Sequence, residues 1–358
     1  MKILYGITTN GNGHLSRGLA VLGHLRKLGA EVDVVLSGPR HVQGMDNELL
    51  AGARVFRGVT SVFRQHRMQF IATALANNFF KLVRDIRSLP VSNYDLVISD
   101  FDPVTAWAGR LSRVRTVSLC RQNCIKLTPL STLLARCREE WGMNLWHTLA
   151  NKLAHDFNAP GDLNLALGWR RDNPLILPPI VRPVEATVPQ ADHHLVYLPW
   201  ISLEDQLSRL KSITGHPLLI YHRDIVEPSD MGNLSLRPLN REDFRRDFLS
   251  ARGIIANAGF TLASESIVAG KKIMVYPVKS VMEQEINAWE LSRYGYGERM
   301  TEFTAARIEA YLAQPGTNTP TDYPNVAEKF ASWVMLGDWS SASAEALSEG
   351  LWSSISAY

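Results

Sequence analysis

Short β-branched runs alternate with helical stretches in two separate series along this 358-residue chain, and a cluster of prolines stands between them. In the first series a strand over 2–8 ends in a glycine-bearing turn, Thr9-Asn10-Gly11-Asn12-Gly13-His14. A helix follows, with Leu19, Leu22, Leu25 and Leu28 at helical spacing. Further strands are predicted at 31–37, 96–99 and 116–120. The second series predicts strands at 194–200, 217–223, 234–239, 253–257 and 272–277, again with helical stretches among them. Strands separated by helices pair in parallel, so each series forms a doubly wound α/β sheet. The chain reads as two Rossmann-like halves.

Pro174, Pro178, Pro179, Pro183 and Pro189 fall within sixteen residues. Such a density excludes a helix interior or a central strand and marks a linker near 178–192. The expected organisation is an N-terminal domain over 1–182, a C-terminal domain over 190–330 and a Trp- and Ser-rich helical tail over 331–358 that closes the fold.

Hydrophobic residues make up 46% and charged residues 20%, which excludes a disordered chain. Cys120, Cys124 and Cys137 form no CxxC pair and no cluster with histidine at zinc spacing, which argues against a disulfide framework or structural zinc. Met1-Lys2 runs directly into a strand, without a signal-peptide pattern, and no apolar run approaches the roughly 20 residues that span a bilayer. A cytoplasmic location is expected. The net charge of +3 is uneven: residues 1–180 carry +9 and the remainder −6. The basic half suits phosphates or an anionic membrane surface. Phe63 to Arg84 mixes aromatic and aliphatic residues with several cations before the first acid, Asp85, and reads as a basic amphipathic helix. It either packs on its own sheet or contacts the inner face of the plasma membrane peripherally.

Three motifs carry chemistry. Gly11-Asn12-Gly13-His14-Leu15-Ser16-Arg17-Gly18 joins a strand to a helix at GxGxxxxG spacing, which fails the dinucleotide fingerprint. An NAD-linked oxidoreductase is therefore disfavoured. His14, at the helix start, sits where a positive dipole keeps an imidazole neutral and able to accept a proton. Ser99-Asp100-Phe101-Asp102-Pro103 ends a strand of the same half, so Asp100 or Asp102 can orient His14. Capping of the following helix competes for Asp102. The third motif runs from Asn257 through Gly259, Phe260, Thr261, Ser264 and Glu265, and continues to Gln284 and Glu285. It supplies a strand, a glycine turn, a helix N-terminus for a diphosphate, a carboxylate for ribose hydroxyls, and a second polar pair for sugar hydroxyls.

On these motifs the sequence resembles the GT-B glycosyltransferases that include the N-acetylglucosaminyl transferase of peptidoglycan lipid-intermediate synthesis and the plant monogalactosyldiacylglycerol synthases. Within that group it is similar to a bacterial and archaeal branch. The resemblance implies two Rossmann-like domains facing a cleft, a UDP-sugar donor with N-acetylglucosamine favoured, an inverting transfer, and no cofactor or metal. It places Gly11, Asn12, Gly13, His14 and Arg17 on the acceptor side. It places Glu265 on the donor ribose, Gln284 and Glu285 on the donor sugar, Arg182 near the diphosphate, and the uracil near Leu239. Asp100-Phe101-Asp102 is also an Asp-x-Asp string, which holds a divalent metal in another class of sugar transferases, but two Rossmann-like halves argue against that class. The resemblance does not carry over the acceptor: a glycan or a lipid-linked molecule is expected, a small metabolite or a protein side chain stays open, and no nucleic acid is expected. Two related readings share the fold and donor, a non-hydrolysing nucleotide-sugar 2-epimerase and a non-catalytic nucleotide-sugar-binding protein.

Overall fold

The computed structural model describes residues 1–38, 47–184, 188–314 and 318–355. It divides into two compact units. The first comprises Met1–Val62, Gln69–Arg182 and Asp322–Tyr358, and the second Phe63–Met68 and Pro183–Thr321.

Counted along the chain, the strands up to the linker are β1 (Lys2–Thr8), β2 (Glu31–Ser37), β3 (Arg54–Phe56), β4 (Phe63–Arg64), β5 (Arg67–Met68), β6 (Leu96–Asp100), β7 (Thr116–Cys120), β8 (Leu163–Leu167) and β9 (Ile176–Leu177). All except β4 and β5 form the parallel sheet of the first unit, in the order β3-β2-β1-β6-β7-β8-β9. The chain winds outward from β1 in one direction and from β6 in the other. That reversal opens a crevice at the carboxyl ends of β1 and β6, where ligands bind in doubly wound sheets. β1, β6 and β7 are buried nearly throughout because helices cover both faces, so they read as apolar runs rather than alternating ones. β9 lies between Pro174 and Pro178 and is an edge strand, a position that tolerates flanking prolines.

The second unit has β10 (His194–Tyr197), β11 (Leu218–Tyr221), β12 (Ser229–Met231), β13 (Leu234–Arg237), β14 (Gly253–Asn257), β15 (Lys272–Tyr276) and β16 (Glu298–Arg299). Their order is β12-β13-β11-β10-β14-β15-β16, parallel except for the β12–β13 pair. Its switch point falls between β10 and β14. Its core gathers Val196, Ile220, Leu236, Ile255 and Met274 with Ile308 and Tyr311.

Two parts of the chain leave the expected organisation. The return to the first unit begins at Asp322, so residues 322–330 belong there rather than to the second domain. The Val326–Leu336 helix packs on the Asn12–Lys27 helix. From the final helix, Ser341–Ser353, Ser348 Oγ and Trp352 Nε1 both donate to the Ile176 carbonyl, at 2.7 and 2.8 Å. The tail therefore caps the edge strand that the prolines leave short. Of the linker, residues 185–187 lie outside the described residues.

The segment Phe63 to Arg84 is not one amphipathic helix. Phe63–Met68 is the β4–β5 hairpin of the second unit, whereas the Phe70–Ala76 and Phe79–Arg87 helices belong to the first. Gln65 and His66 turn the hairpin with φ of +47° and +57°, a left-handed pair that reverses the strand in two residues.

β1 approaches the Pro103–Leu111 helix so closely that a Cβ on Gly6 would lie 1.8 Å from Thr105 Oγ1 and 2.4 Å from Asp102 Oδ2. Gly6→Ala is expected to destabilise the protein by about 1–3 kcal/mol, the range for overpacking, seen as a lowered melting temperature.

Candidate active site

The crevice of the first unit is built from the loops after β1 and β6. Gly11, at the N-cap of the Asn12–Lys27 helix, takes φ +154°, a backbone that side chains rarely adopt. This turn starts the helix so that His14 and Arg17, one turn apart on the same face, both point at the end of β6. His14 Nδ1 lies 2.7 Å from Asp100 Oδ1. Arg17 grips both oxygens of the same carboxylate, Nε to Oδ2 at 3.2 Å and Nη2 to Oδ1 at 2.9 Å. The Arg17 Nη2 is also 2.8 Å from His14 Nδ1. On the other side of the ring, Gln122 Nε2 stands 3.2 Å from His14 Nε2. An Nδ1–H donated to Asp100 leaves the Nε2 lone pair to accept from Gln122, or from a hydroxyl that takes the amide's place.

Burial alone would raise the Asp100 carboxyl, but the Arg17 guanidinium, then His14, hold it below the usual carboxylate range. Burial raises the neighbouring Tyr5 hydroxyl, and raises the Cys120 thiol to about 12, so both stay neutral. Phe101, between the two acids, takes φ +55°, a left-handed backbone uncommon outside glycine and characteristic of functional sites. Its ring stacks on His14, centroids 6.1 Å apart, and on the other side meets His155 at 5.3 Å.

The two aspartates have separate duties. Asp102 is the N-cap of the Pro103–Leu111 helix: Oδ1 accepts from Val104 N at 3.2 Å, and Oδ2 from Thr105 N at 3.0 Å and Thr105 Oγ1 at 2.6 Å. Ser37 Oγ completes this set on Oδ1. With its oxygens committed to the cap, Asp102 does not reach His14 as expected from sequence; Asp100 does. Arg17, expected to face the acceptor, is 4% exposed and turned onto Asp100. Gln122 and Phe101 escaped the sequence reading. Gln122 lies in a different βα loop, after β7, whereas the Asp-Phe-Asp string already carried Phe101.

The remaining predicted residues lie in the second unit, apart from Arg182, which is the last residue of the first unit before the linker. Asn257 ends β14 and laces three strand ends together: its Nδ2 donates to the Tyr276 carbonyl at 2.9 Å, and its Oδ1 accepts from Trp200 N at 3.4 Å. Gly259 starts the Phe260–Val268 helix without a side-chain cap, and a Cβ there would meet no atom within 4 Å. The geometry leaves open space at that N-terminus, which favours an anion. Thr261 and Glu265 are half-buried on this helix. Phe260 and Ser264 are buried, and the Ser264 hydroxyl donates back to the Phe260 carbonyl at 2.7 Å, a structural use rather than the expected donor contact. Leu239 lies two residues beyond β13.

Gln284 accepts from Val278 N at 2.9 Å, closing the turn that precedes the Met282–Arg293 helix. Glu285 is buried and pairs with Arg299 Nη2 at 2.7 Å. Burial raises its carboxyl against the pull of Arg299, Lys279 and Arg67. Each of these two thus already has a protein partner. The β4–β5 hairpin covers the same strand ends. His66 stacks on Tyr276 with centroids 4.4 Å apart, its Nε2 donates to the Pro277 carbonyl at 2.9 Å, and Phe63 packs on Trp200 at 4.2 Å. Lys279 N donates to the His66 carbonyl and Met68 N to the Lys279 carbonyl, both at 3.1 Å.

The model of one protein family, Glycosyl transferase family 1, matches residues 1–315. The chain belongs to glycosyl transferase family 1. It is a glycosyltransferase, and solved structures agree with the fold. LpCGTa, solved in complex with UDP, is similar at a TM-score of 0.57 and 14% identity, with 98% of each chain covered. The spinosyn forosaminyltransferase SpnP is similar at 0.56 and 14%, covering 99% of this chain and 95% of that one. The calicheamicin glycosyltransferase CalG4 is similar at 0.55 and 16%, covering 98% and 97%. At these identities the likeness establishes the GT-B fold, with a parallel-sheet α/β domain in each half. No curated protein matches the sequence. Among the described residues, no helix of this family member is long and apolar enough to cross a membrane, and no group of three or more His, Cys, Asp and Glu side chains is placed to hold a metal ion.

Asp102→Ala is expected to remove the cap and strand the Ser37 and Thr105 hydroxyls, costing about 2–3 kcal/mol in denaturant unfolding, with Asp102→Asn costing less. His155 gives a pH signature. Burial lowers its ring to about 4, against an ordinary value of roughly 6.5. The unfolded chain takes up a proton below the ordinary value while the folded ring stays neutral. Stability is therefore full above that value and falls as pH drops toward 4. Melting temperatures across this window are expected to fall, and His155→Gln to flatten the decline.

Proposed function

We propose that this glycosyltransferase moves a sugar from a UDP-linked donor to an acceptor hydroxyl, with His14 as the base and Asp100 as its orienting partner. The observation that carries the reading is the His14–Asp100 contact of 2.7 Å at the switch point of the first sheet. In this reading His14 Nε2 takes the acceptor's proton as its oxygen attacks the anomeric carbon. The bond from that carbon to the diphosphate oxygen breaks, and the leaving diphosphate carries the electron pair away. Inversion follows from such a direct displacement.

The donor is assigned to the second unit. The Gly259–Thr261 helix start takes the diphosphate and Glu265 takes the ribose hydroxyls, while a diphosphate role for Arg182 rests on the motif resemblance. Leu239 lies beside the base, and Gln284 and Glu285 lie beside the sugar, with Asn257 holding their strand ends in register. UDP is favoured because LpCGTa was solved with UDP, although VinC, another solved glycosyltransferase of similar fold, was solved with dTDP. N-acetylglucosamine, the peptidoglycan and galactolipid branch of the fold, and a place in cell-envelope or glycan synthesis rest on the motif resemblance. A lipid-linked acceptor is supported by the Phe70–Ala76 and Phe79–Arg87 helices, where Leu75 and Phe80 are 82% and 93% exposed beside Lys81, Arg84 and Arg87. Apolar side chains flanked by cations suit peripheral contact with an anionic membrane.

A melting panel of nucleotides and nucleotide sugars tests the donor. UDP or one UDP-sugar at a hundredfold over its dissociation constant is expected to stabilise the fold by about 2.7 kcal/mol. Glu265→Ala is expected to weaken that shift. His14→Ala is expected to keep the shift and lose about 10²–10⁴-fold in transfer rate. An unchanged shift in Glu265→Ala would remove the ribose assignment, and an unchanged rate in His14→Ala the base.

A further inference from the structure

We propose that Arg17 is a positioning residue of the His14–Asp100 pair: it balances the Asp100 charge so that His14 remains a neutral proton acceptor. The inference rests on the reading of His14 as the base. It reassigns Arg17 from the acceptor to the base.

Asp100 is 1% exposed, and an imidazole 2.7 Å from an unbalanced buried carboxylate draws a second proton to form an ion pair. A doubly protonated ring accepts nothing. Arg17 prevents this in two ways. Its fork occupies both carboxylate oxygens, at 3.2 and 2.9 Å, so the negative charge is already matched. Its Nη2 also stands 2.8 Å from His14 Nδ1, and a guanidinium that keeps its charge at any working pH repels an imidazolium there.

The remaining ring proton has two arrangements. In one, Nδ1–H donates to Asp100 and Nε2 accepts from Gln122, 3.2 Å away. In the other, Nδ1 accepts from Arg17 and Nε2 carries the proton. Only the first leaves Nε2 as an acceptor. The reading of His14 as the base takes the first arrangement, in which Asp100 accepts from Nδ1 while Arg17 matches the carboxylate charge.

The groups around the pair do not take over this task. The Tyr5 hydroxyl and the Cys120 thiol, which interact with Asp100 and Arg17, stay protonated and neutral. Lys126 acts on the Cys120 thiol and donates to the Ala159 carbonyl. His155, behind Phe101, is neutral, and Asp102 is committed to its helix cap. At 4% exposure, Arg17 is also poorly placed to meet a diffusing acceptor directly.

The test is a pH titration of the His14 ring by ¹⁵N NMR in the full chain, assigned with H14Q, for the unaltered protein and for R17M, R17K and D100N. R17M is expected to move the uptake of the second ring proton upward by about one pH unit or more. R17K, which keeps the charge but not the fork, is expected to restore most of it. The acid limb of the transfer rate with a UDP-sugar should move with the ring. D100N, which leaves Arg17 unopposed, should move it downward. A folded R17M with an unmoved ring overturns the proposal, as does a raised acceptor KM without a shift in titration. If R17M fails to fold, R17Q, which keeps hydrogen-bonding groups near the carboxylate but not the charge, decides: a ring that does not move upward overturns the proposal. A ring that moves while no transfer is found with any nucleotide sugar supports the charge balance and removes His14 from the transfer reaction.

Discussion

A carboxylate buried to 1% exposure must be compensated, and in this protein the compensation of Asp100 organises the site. Taking such a charge from water costs several kcal/mol unless charge and hydrogen bonds replace the lost hydration. Both replacements come from one turn of one helix, His14 and Arg17, and that helix is aimed by Gly11. The orientation of the helix, the rotamer of the histidine and the ionisation of the aspartate are thus facets of one electrostatic constraint. Losing the Arg17 fork would leave the buried carboxylate with only the His14 ring beside it.

The neighbouring Asp102 solves a different problem with the same side chain. A helix that starts in the crevice presents amide groups that need acceptors, and Asp102 supplies them while binding Ser37 at the end of β2, two strands away across β1. Two residues apart, one carboxylate fixes the scaffold and the other pairs with the His14 ring. Phe101 makes the division possible. Its left-handed backbone turns the chain between them, and its ring fills the space between His14 and His155.

The second unit shows the same economy at its own switch point. Asn257, Gln284 and the His66 hairpin spend their polar groups holding strand ends and turns in place. The start of the Phe260–Val268 helix keeps open space in front of Gly259. This contrast between a braced rim and an open helix terminus suits an anion.

The alternation of β-branched runs with helical stretches was enough to indicate two parallel sheets, because a strand followed by a helix has few other ways to bury its faces. The glycine turn before His14 and the strand ending at Asp100 were legible for the same local reason, as was the glycine before the Phe260–Val268 helix. What sequence could not decide is which side chains meet across distance. The place of Asp102 before Pro103 already offered it as a cap, but which of the two aspartates meets His14 was settled only by the fold. Gln122 reached His14 through sheet order, since β7 lies one strand beyond β6. The return of residues 322–355 to the first unit, and the placement of Phe63–Met68 in the second, follow from tertiary packing that no local periodicity encodes. Local pattern determines elements because their forces act over a few residues; charge pairing and burial join residues far apart in the chain, and only the folded structure brings those together.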